Sequence, residues 1–127
     1  MKKSGILNAD LNAAISRLGH GDLVVVADCG LPAPSGVPVV DLALVHGVPS
    51  FRDVVDALLA EVVFQDAFAA AERDGSSAGD WIDGRFPDVR TVPHDELKAM
   101  TARARLFVRT GEATPYANVV LACGVPF

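Results

Sequence analysis

A chain of 127 residues can bury one sizeable core, so a single domain spanning residues 1–127 is the expectation. Half its residues are apolar, and a net charge of −5 with few aromatics and no basic stripe argues against nucleic acid and anionic membrane partners. Cys29 and Cys123 stand far apart with no CxxC or Cys/His spacing, which argues against structural zinc and for two free thiols in a reducing compartment.

Taken in order, Met1-Lys2-Lys3 imitates a signal n-region, but Asn8, Asp10 and Asn12 interrupt the apolar run that should follow. With no apolar run long enough to cross a bilayer, the expectation is a cytoplasmic protein. Asn8 or Asp10 caps a first helix, with Leu11, Ala14, Ile15 and Leu18 on one face and Gly19 and Gly21 as its stop. His20 then lies between those two glycines. Leu23–Ala27 reads as a strand apolar enough to be buried on both faces, delivering Asp28 into a Gly/Pro loop over 28–38. A second strand covers 39–44, interrupted by Asp41, and Gly47-Val48-Pro49 is a turn. Ser50 caps the strongest helix, striped by Phe51, Val54, Val55, Leu58 and Leu59.

Residues 61–71 are ambiguous between strand and helix, and strand is taken first. A polar turn over 74–78 precedes a short helix over 79–86 and an edge strand over 89–92. Pro93 opens a helix running to about 104, on which His94 and Lys98 share a face. Strands over 105–109 and 119–122 flank a loop over 111–116. Strands alternating with helices make the expected fold a three-layer α/β/α sandwich with a mixed, largely parallel sheet. The apolar end of the chain, 119–127, invites packing against a neighbouring subunit.

Once capping and surface charges are set aside, a short polar set remains: His20, Asp28, His94, Lys98, Tyr116 and Asn118. Each falls at or near the end of an element, where α/β proteins place chemistry. A histidine gives or takes a proton near neutrality, and a carboxylate orients it or binds a hydroxyl. Lysine and asparagine supply donors, and tyrosine a hydroxyl and a flat face. That is an inventory for a polyol site with acid–base chemistry. Plainer readings stand beside it: His20 as a helix cap, Asp28 as an Asx-turn residue, His94 and Lys98 as solvated side chains, Tyr116 as packing. His46 reads as structural, and Cys29 lacks a nearby base. His20, Asp28 and His94 also allow a metal triad, although their spacing fixes no ligand geometry. Neither GxxxxGK[ST] nor GxGxxG occurs.

The segments Ser16-Arg17-Leu18-Gly19-His20, Asp28-Cys29-Gly30-Leu31-Pro32, Gly47-Val48-Pro49-Ser50-Phe51, Arg109-Thr110-Gly111-Glu112 and Pro115-Tyr116-Ala117-Asn118 together resemble the D-ribose pyranase family, which groups with the fucose mutarotases. The likeness runs in order through nearly the whole chain; only about 72–90 departs from it and looks shortened. The resemblance implies an isomerase of ribose catabolism that interconverts pyranose and furanose forms without a cofactor or metal. It implies His20 as proton donor, and Asp28, His94, Tyr116, Ala117 and Asn118 as sugar contacts, with Lys98 matching a lysine often found in that pocket. It also implies a ring-like homo-oligomer, a decamer of two stacked pentamers with sites at subunit junctions. A mutarotase for fucose or another aldose, a sugar-binding module without turnover, and a metal-dependent hydrolase or isomerase are the competing expectations.

Overall fold

The computed structural model describes residues 1–127. Six strands form one sheet: β1 (Leu23–Ala27), β2 (Val39–Asp41), β3 (Phe64–Ala70), β4 (Arg90–Val92), β5 (Leu106–Arg109) and β6 (Val119–Cys123). Their spatial order is β2-β5-β1-β6-β3-β4. The β2–β5, β5–β1 and β3–β4 pairs are parallel, and β6 runs antiparallel to both β1 and β3. Five strands therefore share one direction and β6 alone opposes them, so the mixed, largely parallel sheet is as expected.

Side-chain alternation sorts the sheet into two faces. Val24 and Val26 of β1 join Leu106, Val108, Val119 and Leu121 in one core, covered by helices α1 (Ala9–Ile15), α2 (Phe51–Glu61) and α3 (Ser77–Arg85). Val25 and Ala27 join Phe107 and Val120 in a second core, covered by Leu97 of helix α4 (His94–Thr101) and by Leu31 of the loop after β1. Both faces of β1 are thus occupied, which is why its sequence is continuously apolar rather than alternating. Phe51 is wholly buried at the start of α2, a placement that contributes about 1.5–3 kcal/mol relative to exposure. No helix is long and apolar enough to cross a membrane.

Several boundaries differ from the sequence expectation, each for a local reason. Helix α1 ends at Ile15, not Leu18, and Ser16 Oγ donates back to the Asn12 carbonyl at 2.8 Å, closing the last turn. Gly19 and Gly21 consequently belong to a separate turn, where Asp22 N–H donates to the Gly19 carbonyl at 3.1 Å. Strand β2 stops at Asp41, whose Oδ1 accepts Ala43 N–H and whose Oδ2 accepts from Arg109. The alanines of 67–70 stay in β3, because pairing with β6 on one side and β4 on the other overrides their helix preference. A single 3₁₀ turn, Ala71–Arg73, follows. Helix α4 ends at Thr101 and finishes in three-residue turns through Ala104, with Pro93 standing just outside it.

Candidate functional site

The shared direction of five strands puts their C-terminal ends on one edge of the sheet, and β6, running the other way, starts there. Asp28 follows β1, the 42–49 loop follows β2, His94 follows β4, Glu112 follows β5 and Asn118 precedes β6. A cleft of about 520 Å³ opens at this edge, lined by Asp28, Cys29, His46, His94, Lys98, Glu112, Tyr116 and Asn118 among others. Residues scattered from 28 to 118 converge because parallel strands deliver their following loops to the same place.

Asp28 is held through both of its carboxylate oxygens. Its Oδ1 accepts the N–H groups of Gly30 (3.0 Å) and Leu31 (2.8 Å), forming the Asx turn that starts the loop. Its Oδ2 accepts from Asn118 Nδ2 at 2.8 Å, while Asn118 Oδ1 accepts Asp28 N–H at 2.8 Å. Asn118 itself is buried. One oxygen thus shapes the loop, as the turn-residue reading expects, and the other faces Asn118 at the cleft.

The wall made by the 110–116 loop is laced to the end of β1. Thr110 donates from N–H and Oγ1 to the Ala27 carbonyl, at 2.9 and 2.8 Å. Cys29 N–H donates to the Glu112 carbonyl at 2.8 Å. The Glu112 carboxylate is buried and accepts from Phe51 N–H, Thr114 N–H and Thr114 Oγ1. Burial pushes its carboxyl up, but these donors and the Ala113 N–H outweigh that and hold it below the usual carboxylate range. Gly111 lies so close to the backbone of Val48 that a β-carbon there would strike the Val48 carbonyl. This contact brings the 45–49 turn, and His46 with it, to the cleft.

Tyr116 adopts a left-handed conformation, φ +64°, which only a few per cent of non-glycine residues do. It sets its ring edge-on to His94, with centroids 5.4 Å apart and planes at 86°. Glu72 accepts His94 N–H at 3.0 and 3.2 Å, taking the place of a side-chain cap that Pro93 cannot supply. The Nδ1 of His94 is buried without a hydrogen-bond partner. Lys98, one turn on in α4, also lines the cleft. Ala117, between Tyr116 and Asn118 in sequence, is wholly buried in the core and does not line the cleft, so the structure does not bring this expected sugar contact to the site.

His20 is elsewhere. It precedes β1, whereas Asp28 follows it, so the length of the strand, roughly 15 Å or more, separates them. Its exposed ring lies by a second depression shared with Leu18, Val63, Cys123 and Val125, with Nε2 3.0 Å from Gln65 Oε1. No three His, Cys, Asp or Glu side chains converge as a metal-ligand set, and His20, Asp28 and His94 do not meet within one chain.

Residue spacing did not single out His46, Glu112 or Gln65. His46 and Glu112 become visible only once the strand order is known, since β2 and β5 open on the same edge as β1. The signal for Gln65 is its place where the β3–β6 register shifts.

Comparison with known proteins matches this construction. The chain is 59% identical over its whole length to D-ribose pyranase 2 of Streptomyces griseus, and 57% identical to D-ribose pyranase of Streptomyces coelicolor, covering all of each relative. Among solved structures, Bacillus subtilis RbsD complexed with D-ribose superposes with a TM-score of 0.93 at 41% identity, with both chains fully covered. A fucose mutarotase from Streptococcus pneumoniae, solved with L-fucose, shares the fold at TM-score 0.80 and 19% identity, over 95% of each chain. The profile of the RbsD / FucU transport protein family matches residues 1–126, and the region 72–90, shortened as it looked in the sequence, interrupts neither that match nor the superposition. With its sheet, its cleft and nearly all of its length accounted for, the chain belongs to the RbsD / FucU family.

Proposed function

We propose that the protein is a D-ribose pyranase, a cytoplasmic isomerase whose single domain, residues 1–127, interconverts the pyranose and furanose forms of ribose. The observation that carries this reading is the convergence of Asp28, His94, Lys98, Tyr116 and Asn118 on one cleft. The full-length likeness to a protein solved with D-ribose supports it, and the free thiols of Cys29 and Cys123 fit the compartment.

The chemistry is modest. Opening a cyclic hemiacetal removes a proton from the anomeric hydroxyl and delivers one to the ring oxygen. Closure through the neighbouring hydroxyl reverses both transfers and changes the ring size. No electrons move and no group is transferred, so acid–base side chains suffice. Asp28 has about four lone-pair positions on its carboxylate and uses three within the chain, leaving roughly one for a sugar hydroxyl. Lys98, Tyr116 and Asn118 hold the other hydroxyls, and the Tyr116 ring meets the sugar face. His94, which lines the cleft beside Tyr116, is a further sugar contact.

His20 is the proton donor, and it reaches the cleft from a second copy of the chain. Exposed apolar residues flank both places: Leu44, Val45 and Val48 in the loop after β2, and Val63 and Val125 in the depression by His20. Joining two different patches head to tail generates a ring, in keeping with the stacked-pentamer decamer that the family resemblance implies. A positioned acid of this kind contributes about 10²–10⁴ in rate.

Saturation-transfer NMR on ribose tests the proposal. Added protein should speed pyranose–furanose exchange well beyond the uncatalysed rate, before and after chelation. Binding without faster exchange would make it a sugar-binding module, and faster exchange with fucose than with ribose would reassign the substrate. Activity lost on chelation would point to a metal enzyme.

A further inference from the structure

The turn that carries His20 is held to the sheet more firmly than an exposed turn requires. Gly19 N–H donates to the Asp22 carboxylate at 2.8 Å, Gly21 N–H to the Cys123 carbonyl at 2.9 Å, and Cys123 N–H to the Asp22 carbonyl at 2.9 Å. Gly21 takes φ +82°, a conformation that glycine accepts without strain. The backbone on both sides of His20 is thereby fixed, and the ring is left with one side-chain contact, to Gln65.

Gln65 meets the ring because the sheet is irregular there. Phe64 pairs with Cys123 and Asp66 pairs with Ala122, so Gln65 is the extra residue of a β-bulge. Bulges re-aim a side chain that regular pleating would send elsewhere. Gly124 opposes it: a β-carbon at Gly124 would come within 3.3 Å of Gln65 Cβ and 3.2 Å of Val63. Gly124 N–H donates to the Val63 carbonyl at 2.8 Å, locking the bulge to the end of β6.

We propose that Gln65 is the positioning residue of the proton donor: its Oε1 accepts the His20 Nε2–H, which fixes the ring's orientation and tautomer and makes Nδ1 the nitrogen that exchanges protons with the sugar. A carbonyl oxygen only accepts, so a neutral His20 in this contact carries its proton on Nε2 and its lone pair on Nδ1. Nδ1 then takes the proton from solvent or sugar and gives it to the ring oxygen, returning to the same tautomer after each turnover. The inference rests on the reading of His20 as proton donor.

Histidine-selective ¹⁵N NMR tests it, since the chain has three histidines and His20→Ala identifies the relevant signals. Wild-type protein with its histidines neutral should show Nε2 of His20 protonated and Nδ1 bare. Gln65→Leu should give mixed tautomers and lower kcat for ribose exchange about two- to tenfold, the worth of one hydrogen bond, with KM and thermal stability unchanged. Gln65→Glu keeps an acceptor and should restore the tautomer and most of kcat. A protonated Nδ1 in wild type, or a Gln65→Leu protein with unaltered tautomer and kcat, overturns the inference. Full activity in His20→Ala would instead overturn the proton-donor reading, and the catalytic meaning of Gln65 with it.

Discussion

Asn118 grips Asp28 from both sides, accepting its backbone N–H and donating to its carboxylate, each at 2.8 Å across 90 residues of sequence. One amide thus fixes both the start of the loop after β1 and the carboxylate that faces the cleft. Asn118→Ala leaves the Asp28 N–H and one carboxylate oxygen unpaired, a cost of about 1–3 kcal/mol in stability. Asn118→Asp is worse for function, because it sets a second carboxylate against the first and forces one of them to take up a proton. Both variants should raise KM for ribose in saturation-transfer NMR. An Asn118→Asp protein with wild-type KM would show that this clamp plays no part in holding the sugar.

Separation of His20 from Asp28 by the length of β1 gives a second prediction. Neither His20→Ala nor Asp28→Asn homomers should accelerate ribose exchange. Co-expressed, they should assemble mixed rings in which about a quarter of junctions pair an intact His20 with an intact Asp28. Activity regained in the mixture, measured per site, checks this. Were each site built within one chain, no mixture would recover anything.

Glu112 links stability to acid. Its folded carboxyl lies below the ordinary carboxylate range, because the donors from Phe51, Thr114 and Ala113 outweigh burial. A lowered folded pKa contributes stability above the unfolded value, near 4.3, and that stability is lost as pH falls through the folded value. Glu112→Gln keeps an acceptor for Phe51 N–H but cannot ionise. Urea unfolding from pH 6 down to 3 should therefore show a shallower acid loss in the variant than in the wild type. Parallel slopes would mean that other carboxylates carry the acid sensitivity.

The parts of the fold that were legible in the sequence are those where one local pattern dominates. The apolar run Leu23–Ala27 marked β1 to the residue, and the stripe Phe51, Val54, Val55, Leu58 and Leu59 marked α2, although Leu59 is left exposed; the helix cap is the Ser50 hydroxyl accepting Asp53 N–H at 3.1 Å. Residues 61–71 were ambiguous because alanines serve either element, and pairing with β6 and β4 decided the matter for the strand. The polar set Asp28, His94, Lys98, Tyr116 and Asn118 was found by type and position at element ends. His20 joined the same set by type and position at an element end, yet a strand between it and Asp28 puts the two at opposite edges of the sheet. His46 was read as structural and Glu112 was not singled out, because their place at the cleft follows from strand order, which no spacing records.

Gly111 supplies the last prediction. It sits where the loop after β5 crosses the 45–49 turn: its N–H donates to the Pro49 carbonyl at 2.9 Å, and its carbonyl accepts Gly47 N–H at 2.5 Å. A β-carbon there would collide with the backbone carbonyls of Val48 and Val45. Backbone atoms have no rotamer into which to retreat, so Gly111→Ala must push the turn outward or break the two hydrogen bonds. Overpacking of this kind costs about 1–3 kcal/mol, and the turn runs directly into Ser50 and the start of α2. The expected outcome is a melting temperature lowered by several degrees and a raised KM for ribose, as His46 moves away from the cleft. Restoring room on the other side does not rescue the variant, because the obstruction is main chain and no side-chain truncation at Val48 removes it. Calorimetry of Gly111→Ala, alone and with Val48→Ala, checks both statements, and a Gly111→Ala protein that melts with the wild type would show that the turn yields freely.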